Sequence, residues 1–223
     1  VPNSDIPLSS YLGTVGMPGR TAYFGFNKVG KPVSGETVVV SAASGAVGTV
    51  VGQLAKLQGC RVIGVAGGDE KCSYVKEVLG FDECVDYKAG NVMDDLKNAC
   101  PNGIDIYFEN VGGEVTRAVA PLLNAGARVP ICGFISQYNA KDMFAVETPF
   151  NVLGALDPKP EHRFFVVTEW MNEWKEATAF LSDLISKDKL RYKETITEGF
   201  ENAPQALRDV LTGKNFGKQL IKI

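Results

Sequence analysis

Along the chain, short runs of apolar and β-branched residues alternate with stretches in which apolar positions recur every three or four residues. That alternation predicts strands and helices in turn. Strands are expected near Val38–Ser41, Arg61–Ala66, Glu83–Asp86, Ile104–Glu109 and Arg128–Cys132, with a further one at Phe164–Thr168. Helices fall between them near Ala46–Gln58, Asp69–Leu79, Val92–Ala99 and Glu114–Leu123. Elements of this length in this order give an α/β fold, a doubly wound parallel sheet of six strands with helices on both faces.

The flanking segments read differently. Val1–Val15 is polar and aperiodic, a lead-in rather than an element, while Gly16–Pro32 predicts a helix with Pro18 in its first turn, stopped by Gly30 and Pro32. Trp170–Asp188 is amphipathic, with Trp170, Trp174, Ala177 and Leu181 at helical spacing for core packing or a subunit contact. A strand at Arg191–Thr197, a helix at Asn202–Leu211 and a strand at Lys218–Ile223 close the chain. Two strands and a helix make no stable domain alone, so this segment must pack on something.

Composition narrows the classes. The chain has 223 residues and a net charge of −3, with no basic face announced and no nucleic-acid partner implied. It holds no long apolar run, and its first residues lack signal-peptide regions, so a cytosolic location without a membrane is the default expectation. Cys60, Cys72, Cys84, Cys100 and Cys132 are odd in number and widely spaced, which predicts reduced, buried thiols and no metal site. His162, the single histidine, falls in the polar DPKPEHR stretch and reads as a surface-loop residue.

Candidate chemistry begins at Thr37–Gly52, TVVVSAASGAVGTVVG, which reads as a strand feeding a tight turn into a helix. On the fingerprint G-x-G-x-x-G it runs from Ala43 to Gly48, with alanine in place of the first glycine. Gly45 lets backbone approach a pyrophosphate at the helix start, and Gly48 with Gly52 lets the helix pack close to the strand. Alone, the six residues also suit a glycine-rich turn of another α/β protein. In a Rossmann sheet of order 3-2-1-4-5-6, ligands lie beyond the carboxyl ends of the strands at the switch point. Those ends are Ala42–Gly48, Gly67–Lys71, Tyr87, Asn110–Gly113 and Cys132–Tyr138, rich in glycine and small polar groups.

The second strand ends in Gly67 and Gly68 rather than in the acid that bonds a ribose 2′-hydroxyl. Lys71 follows, placed to meet a 2′-phosphate and favour NADP over NAD, although a solvated lysine remains the plain alternative. Asp69 reads as the cap of the following helix.

With those residues in view, GMPGRTAYFG, VVVSAASGAVGTVVGQLAKLQGC, VAGGDEKC, YFENVGG, ICGFISQYN, EGFENAP and GKNFGK resemble the zinc-independent medium-chain dehydrogenase/reductases of the prostaglandin reductase family, nearest its bacterial curcumin reductase branch. The resemblance implies NADPH-dependent reduction of the C=C bond of α,β-unsaturated ketones and aldehydes, with hydride to the β-carbon and a proton to the α-carbon. It places Ala46, Val47, Gly48 and Thr49 on the pyrophosphate, joining the Gly45 of the fingerprint, and Lys71 and Tyr87 at the adenosine phosphate end, joining the Gly67 of the strand ends, all as cofactor-binding residues. Asn110 lies beneath the cofactor, Cys132, Gly133, Phe134, Ile135, Ser136 and Tyr138 along the nicotinamide half, Phe165, Val166 and Val167 beside the carboxamide, and Asn215 closes over it. The family also implies possible homodimers, and a GroES-like catalytic domain that is largely missing here. Residues 1–15 then lead in from that domain, 16–188 bind the cofactor, and 189–223 return to it. The Phe150–Phe164 stretch departs from the family: Phe164 stands where relatives have glycine, and no tyrosine is present to assist an enolate. No catalytic acid is therefore assigned, and Tyr138 is either a hydrogen-bond donor or a ribose contact. A quinone oxidoreductase of the same superfamily and a silent NADPH-binding module stay open. A short-chain dehydrogenase is disfavoured because no Tyr-x-x-x-Lys pair occurs.

Overall fold

The computed structural model describes residues 6–142 and 145–223. The first five residues of the expected lead-in lie outside the described residues. The rest of it is more structured than expected: Leu8–Leu12 forms a 3-10 helix, and Ile6 and Val15 enter the core.

Six strands, β1 (Thr37–Ser41), β2 (Arg61–Ala66), β3 (Glu83–Asp86), β4 (Ile104–Phe108), β5 (Leu123–Ile131) and β6 (Glu161–Phe164), form one sheet in the order β3-β2-β1-β4-β5-β6. Every pairing within it is parallel. The helices are α1 (Met17–Phe24), α2 (Gly48–Leu57), α3 (Asp69–Ser73), α4 (Val92–Ala99), α5 (Gly113–Val119), α6 (Pro149–Gly154), α7 (Trp174–Ser186) and α8 (Ala203–Leu211). α1 continues as a π-helical turn to Gly30, and Lys31 at φ +48° ends it. α3 likewise continues as a π-helical turn over Tyr74–Val78. Among the described residues, no helix is long and apolar enough to cross a membrane.

The central strand explains the two-sided core. All five residues of β1 are buried, which is what a strand covered by helices on both faces requires. Val38, Val40, Ile106 and Phe108 join one apolar cluster with Val50, Val51 and Leu181. Val39, Ile63, Val65 and Tyr107 join the other, with Leu96, Val115 and Val119. Burying each of those side chains contributes about 1.5–3 kcal/mol.

Several boundaries differ from the expectation. β6 begins at Glu161 and ends at Phe164, three residues ahead of the expected start, and it is an edge strand whose residues are mostly exposed. His162 therefore stands in a strand opposite Val129 rather than in a loop, half-buried near the Phe150 ring. β5 begins at Leu123, ahead of Arg128. The amphipathic helix divides into a 3-10 segment, Val167–Glu173, and α7, with a kink at Trp170. Trp170 stacks on Phe24 at 5.4 Å, while Ala177 and Leu181 are fully buried. Gly52 admits the Phe81 ring rather than a strand, since a Cβ there would fall 1.7 Å from that ring.

The chain ends in β7 (Glu194–Glu198), α8 and β8 (Lys218–Lys222), the two strands pairing in parallel as a separate sheet. This unit docks where the six-stranded sheet presents its glycine turn. Gln53 of α2 holds both backbone groups of Arg191, and Gly217 bridges Gly45.

Candidate functional site

The topology reverses between β1 and β4, so the crevice beyond their carboxyl ends is where a parallel sheet accepts a ligand. The turn 42–47 opens it. A Cβ on Gly48 would lie 2.3 Å from the Ala42 carbonyl oxygen, a backbone contact that cannot yield, so glycine is required for α2 to start there. On the outer side of the turn, a Cβ at Gly45 would meet only Ala42 within 4 Å. The amides of Ala46 and Val47 meet no acceptor among the described residues. With the Gly48 amide at the start of the ten-residue α2, they form a bare, electropositive cradle suited to a phosphate, while the Thr49 and Val50 amides are already taken by Gly45 O and Val47 O. Thr49 turns away: its hydroxyl donates to Gly45 O at 2.6 Å and the residue is buried.

Beyond β2, Gly67 leaves room for Tyr87, whose ring would lie 2.8 Å from a Cβ. Gly68, at φ +96°, caps α3, so Asp69 is the first helical residue and not the cap. Asp86 accepts the Gly68 amide at 2.8 Å instead. Lys71 reaches across to the C-terminal loop, its Nζ donating to Gly213 O at 2.7 Å and Asn215 O at 2.6 Å. An ammonium carries three donors, so one remains for a ligand. Burial, then the charge of Lys88, lowers the Lys71 pKa. The Asn215 side chain folds back on Gly217 O.

Beyond β4, Asn110 donates its amide to Ser41 Oγ at 2.8 Å and its side-chain nitrogen to Ser41 O at 2.7 Å. Its carbonyl accepts the Ile135 amide, and Val111 O accepts both the amide and the hydroxyl of Ser136. The loop after β5 is thereby fixed against the loop after β4. Gly133 leaves room for the Tyr138 hydroxyl, which a Cβ there would approach to 2.6 Å. Tyr138 is half-exposed, and its oxygen accepts the Phe134 amide, leaving its own proton to donate. Burial, then Glu109, pushes the Cys132 thiol up to about 12, so it is no nucleophile.

Beyond β6, Phe165 is buried against Gly25, where a Cβ would fall 2.2 Å from its ring, and against Phe108. Its side chain is core, and only Val166 presents an exposed side chain. The expected residues thus gather along one edge of the sheet, though Thr49, Phe165, Val167 and Asn215 turn their side chains inward. A separate groove of about 590 Å³ lies on the helical flank between α1 and α7, lined by Arg20, Trp174 and Thr178, away from the strand ends.

Residues the sequence reading passed over include Ser41, Glu109 and Thr116, a buried polar group under Asn110, and Lys193, whose Nζ lies 3.9 Å from the Phe216 ring centroid. The cue for Glu109 was an acid closing the apolar run IYF. For Lys193 no local cue existed.

A family model described as zinc-binding dehydrogenase matches residues 46–183. The NADPH-dependent curcumin reductase of Escherichia coli is 48% identical over 215 residues, 95% of this chain and 62% of that protein. Prostaglandin reductase 1 of Rattus norvegicus is 46% identical over 219 residues, 97% of this chain and 66% of that one. The crystal structure of CurA in complex with NADPH from Vibrio vulnificus superposes with a TM-score of 0.90 at 48% identity, covering 96% of this chain and 64% of that one. The chain thus spans a little under two thirds of the length of these relatives. Zinc, which the family description carries, does not fit the described residues: no three of His, Cys, Asp or Glu converge among them.

Proposed function

The chain belongs to the zinc-binding dehydrogenase family, in its zinc-independent medium-chain group with the curcumin and prostaglandin reductases, and from that membership we propose that it binds NADP(H) for reduction of the C=C bond of α,β-unsaturated ketones and aldehydes. The observation that carries the proposal is the bare glycine turn at the β1/β4 switch point, faced by a lysine rather than an acid at the end of β2. When bound, the nicotinamide supplies the hydride. The amides of Ala46, Val47 and Gly48 bind the pyrophosphate, with Gly45 giving access. Gly67, Tyr87 and the third donor of Lys71 form the adenosine phosphate end. Asn110, the loop Cys132–Tyr138 and the backbone of Phe165–Val167 line the nicotinamide half, orienting it and excluding water. Thr49 and Asn215 act by holding their own turns. In this reading residues 16–188 are the cofactor-binding unit, and β7, α8 and β8 belong with a catalytic domain in a soluble cytoplasmic enzyme. No proton donor is assigned.

The test follows NADPH absorbance with an enone, a quinone, and separately an alcohol with NADP⁺, using the chain alone and a version extended N-terminally to the relatives' length. Enone turnover by the longer form, with NADPH binding by both, is expected. Turnover of quinone alone would redirect the assignment to a quinone reductase. Tight binding without turnover in either form would make the chain a binding module, and absence of binding would overturn the proposal.

A further inference from the structure

We propose that Glu109 is a positioning residue for the nicotinamide half of the crevice, holding the 110–113 loop in shape from beneath; the inference rests on the cofactor reading above. Glu109 directly follows β4 and has zero exposure. No cationic side chain bonds it among the described residues. Three donors do so outright, the Val111 amide at 2.8 Å and the Gly112 amide at 3.0 Å on Oε1 and the Thr116 hydroxyl on Oε2, and Ser41 Oγ shares its single proton between Oε1 and Phe108 O, each at 3.2 Å. A buried carboxyl is retained only when its oxygens are met in this way, because an unmet one is strongly disfavoured.

What those donors are attached to gives the group its role. Ser41 ends β1 and holds Asn110 twice, its hydroxyl oxygen accepting the Asn110 amide and its carbonyl accepting the Asn110 side-chain nitrogen. Val111 and Gly112 are the loop itself, which then turns through Gly112 at φ +77° and Gly113 at φ +61° into α5. Thr116 lies in α5. One side chain therefore gathers the end of β1, the loop after β4 and the helix that follows, at the switch point. The backbone carbonyl of Glu109 also accepts the amides of Cys132 and Gly133, joining the loop after β5 to the same residue. β4, β5 and β6 form the second half of the sheet, the half that receives the second nucleotide in this architecture.

The Tyr107 hydroxyl shares this pocket. It is fully buried and close enough to feel Glu109, Ser41 and Thr116, yet none of the three meets it with hydrogen-bond geometry. Burial first, and then Glu109, pushes its pKa well above the ordinary value. It remains a neutral spare donor beside the carboxyl group.

Glu109→Gln keeps the side chain's size and one acceptor but sets an NH₂ where Thr116 now donates. Thr116→Val removes that one donor and leaves the carboxyl in place. Binding of NADPH is compared with binding of adenosine 2′,5′-bisphosphate, which lacks the nicotinamide half. The wild-type protein is expected to bind both. Glu109→Gln should weaken NADPH about tenfold, the worth of one hydrogen bond to a charged group, while changing the bisphosphate by less than about twofold. A general loss of stability would move both ligands together. Equal weakening of both, or of neither, overturns the inference while leaving the cofactor reading intact. If Glu109→Gln does not fold, Thr116→Val, which removes one hydrogen bond to the carboxylate, must show the same split at about tenfold, and its absence there also overturns the inference. Failure of wild-type protein to bind either ligand overturns the cofactor reading instead, and this inference with it.

Discussion

Lys71 is engaged by two backbone carbonyls, those of Gly213 and Asn215, 142 and 144 residues away in sequence. It therefore does two things at once, tying the C-terminal loop to the β2 end of the crevice and offering a cation there. Lys71→Ala is expected to lower affinity for both NADPH and NADH, because the loop is released. NADPH should lose the more, about 10- to 150-fold for the lost charged hydrogen bond. Fluorescence titration with each cofactor checks this, and an equal proportional loss would remove Lys71 from phosphate selection. The missing acid after β2 made this lysine legible in the sequence, but its partners were not, since nothing local in VAGGDEK announces a loop near residue 214. Glu109 was illegible for a related reason: a sequence shows an acid after IYF, whereas its meaning comes from Ser41 and Thr116 folding around it.

Among elements, the buried strands were legible and the edges were not. β1 and β2 carry continuous apolar runs because both faces are covered. β6 has one neighbour and exposed residues at Glu161, Arg163 and Phe164, so the apolar run FFVVT, just past it, drew the expected strand three residues late. α2, β2 and β3 are joined by Asp82, whose carboxylate takes both Lys56 Nζ at 2.8 Å and the Val62 amide at 2.7 Å. Burial alone would raise its pKa, but those hydrogen bonds and the Lys56 charge prevail and hold it below the ordinary value. A depressed carboxylate stabilises the fold fully above its unfolded pKa of about 4, and that contribution disappears as pH falls through the lower folded value. Asp82→Asn should therefore cost about 1 kcal/mol near neutrality, the gap from wild type closing on acidification, as measured by denaturant unfolding across pH.

For the molecule as a whole, the expectation that the C-terminal strand-helix-strand needs support is met at Gln53. Its buried side chain accepts the Arg191 amide and donates to the Arg191 carbonyl, both at 2.8 Å. Gln53→Ala should loosen residues 190–217 as a unit, raising hydrogen exchange at Phe216 and Gly217 about tenfold without changing β1. Bound NADPH should restore much of that protection. The Rossmann sheet and its strand order followed from the alternation of patterns. The parallel pairing of β7 with β8 did not, because their half-exposed residues show no face that could have chosen a partner.

The Gly217 amide donates to Ser44 O at 3.0 Å, on the same turn whose Ala46 and Val47 amides meet no acceptor among the described residues. A molecule seated on that turn would lie beside the stretch 213–217 that this bond ties down. Variants that loosen that stretch, at Lys71 or Gln53, are therefore expected to change how fast a bound molecule exchanges as well as how tightly it is held.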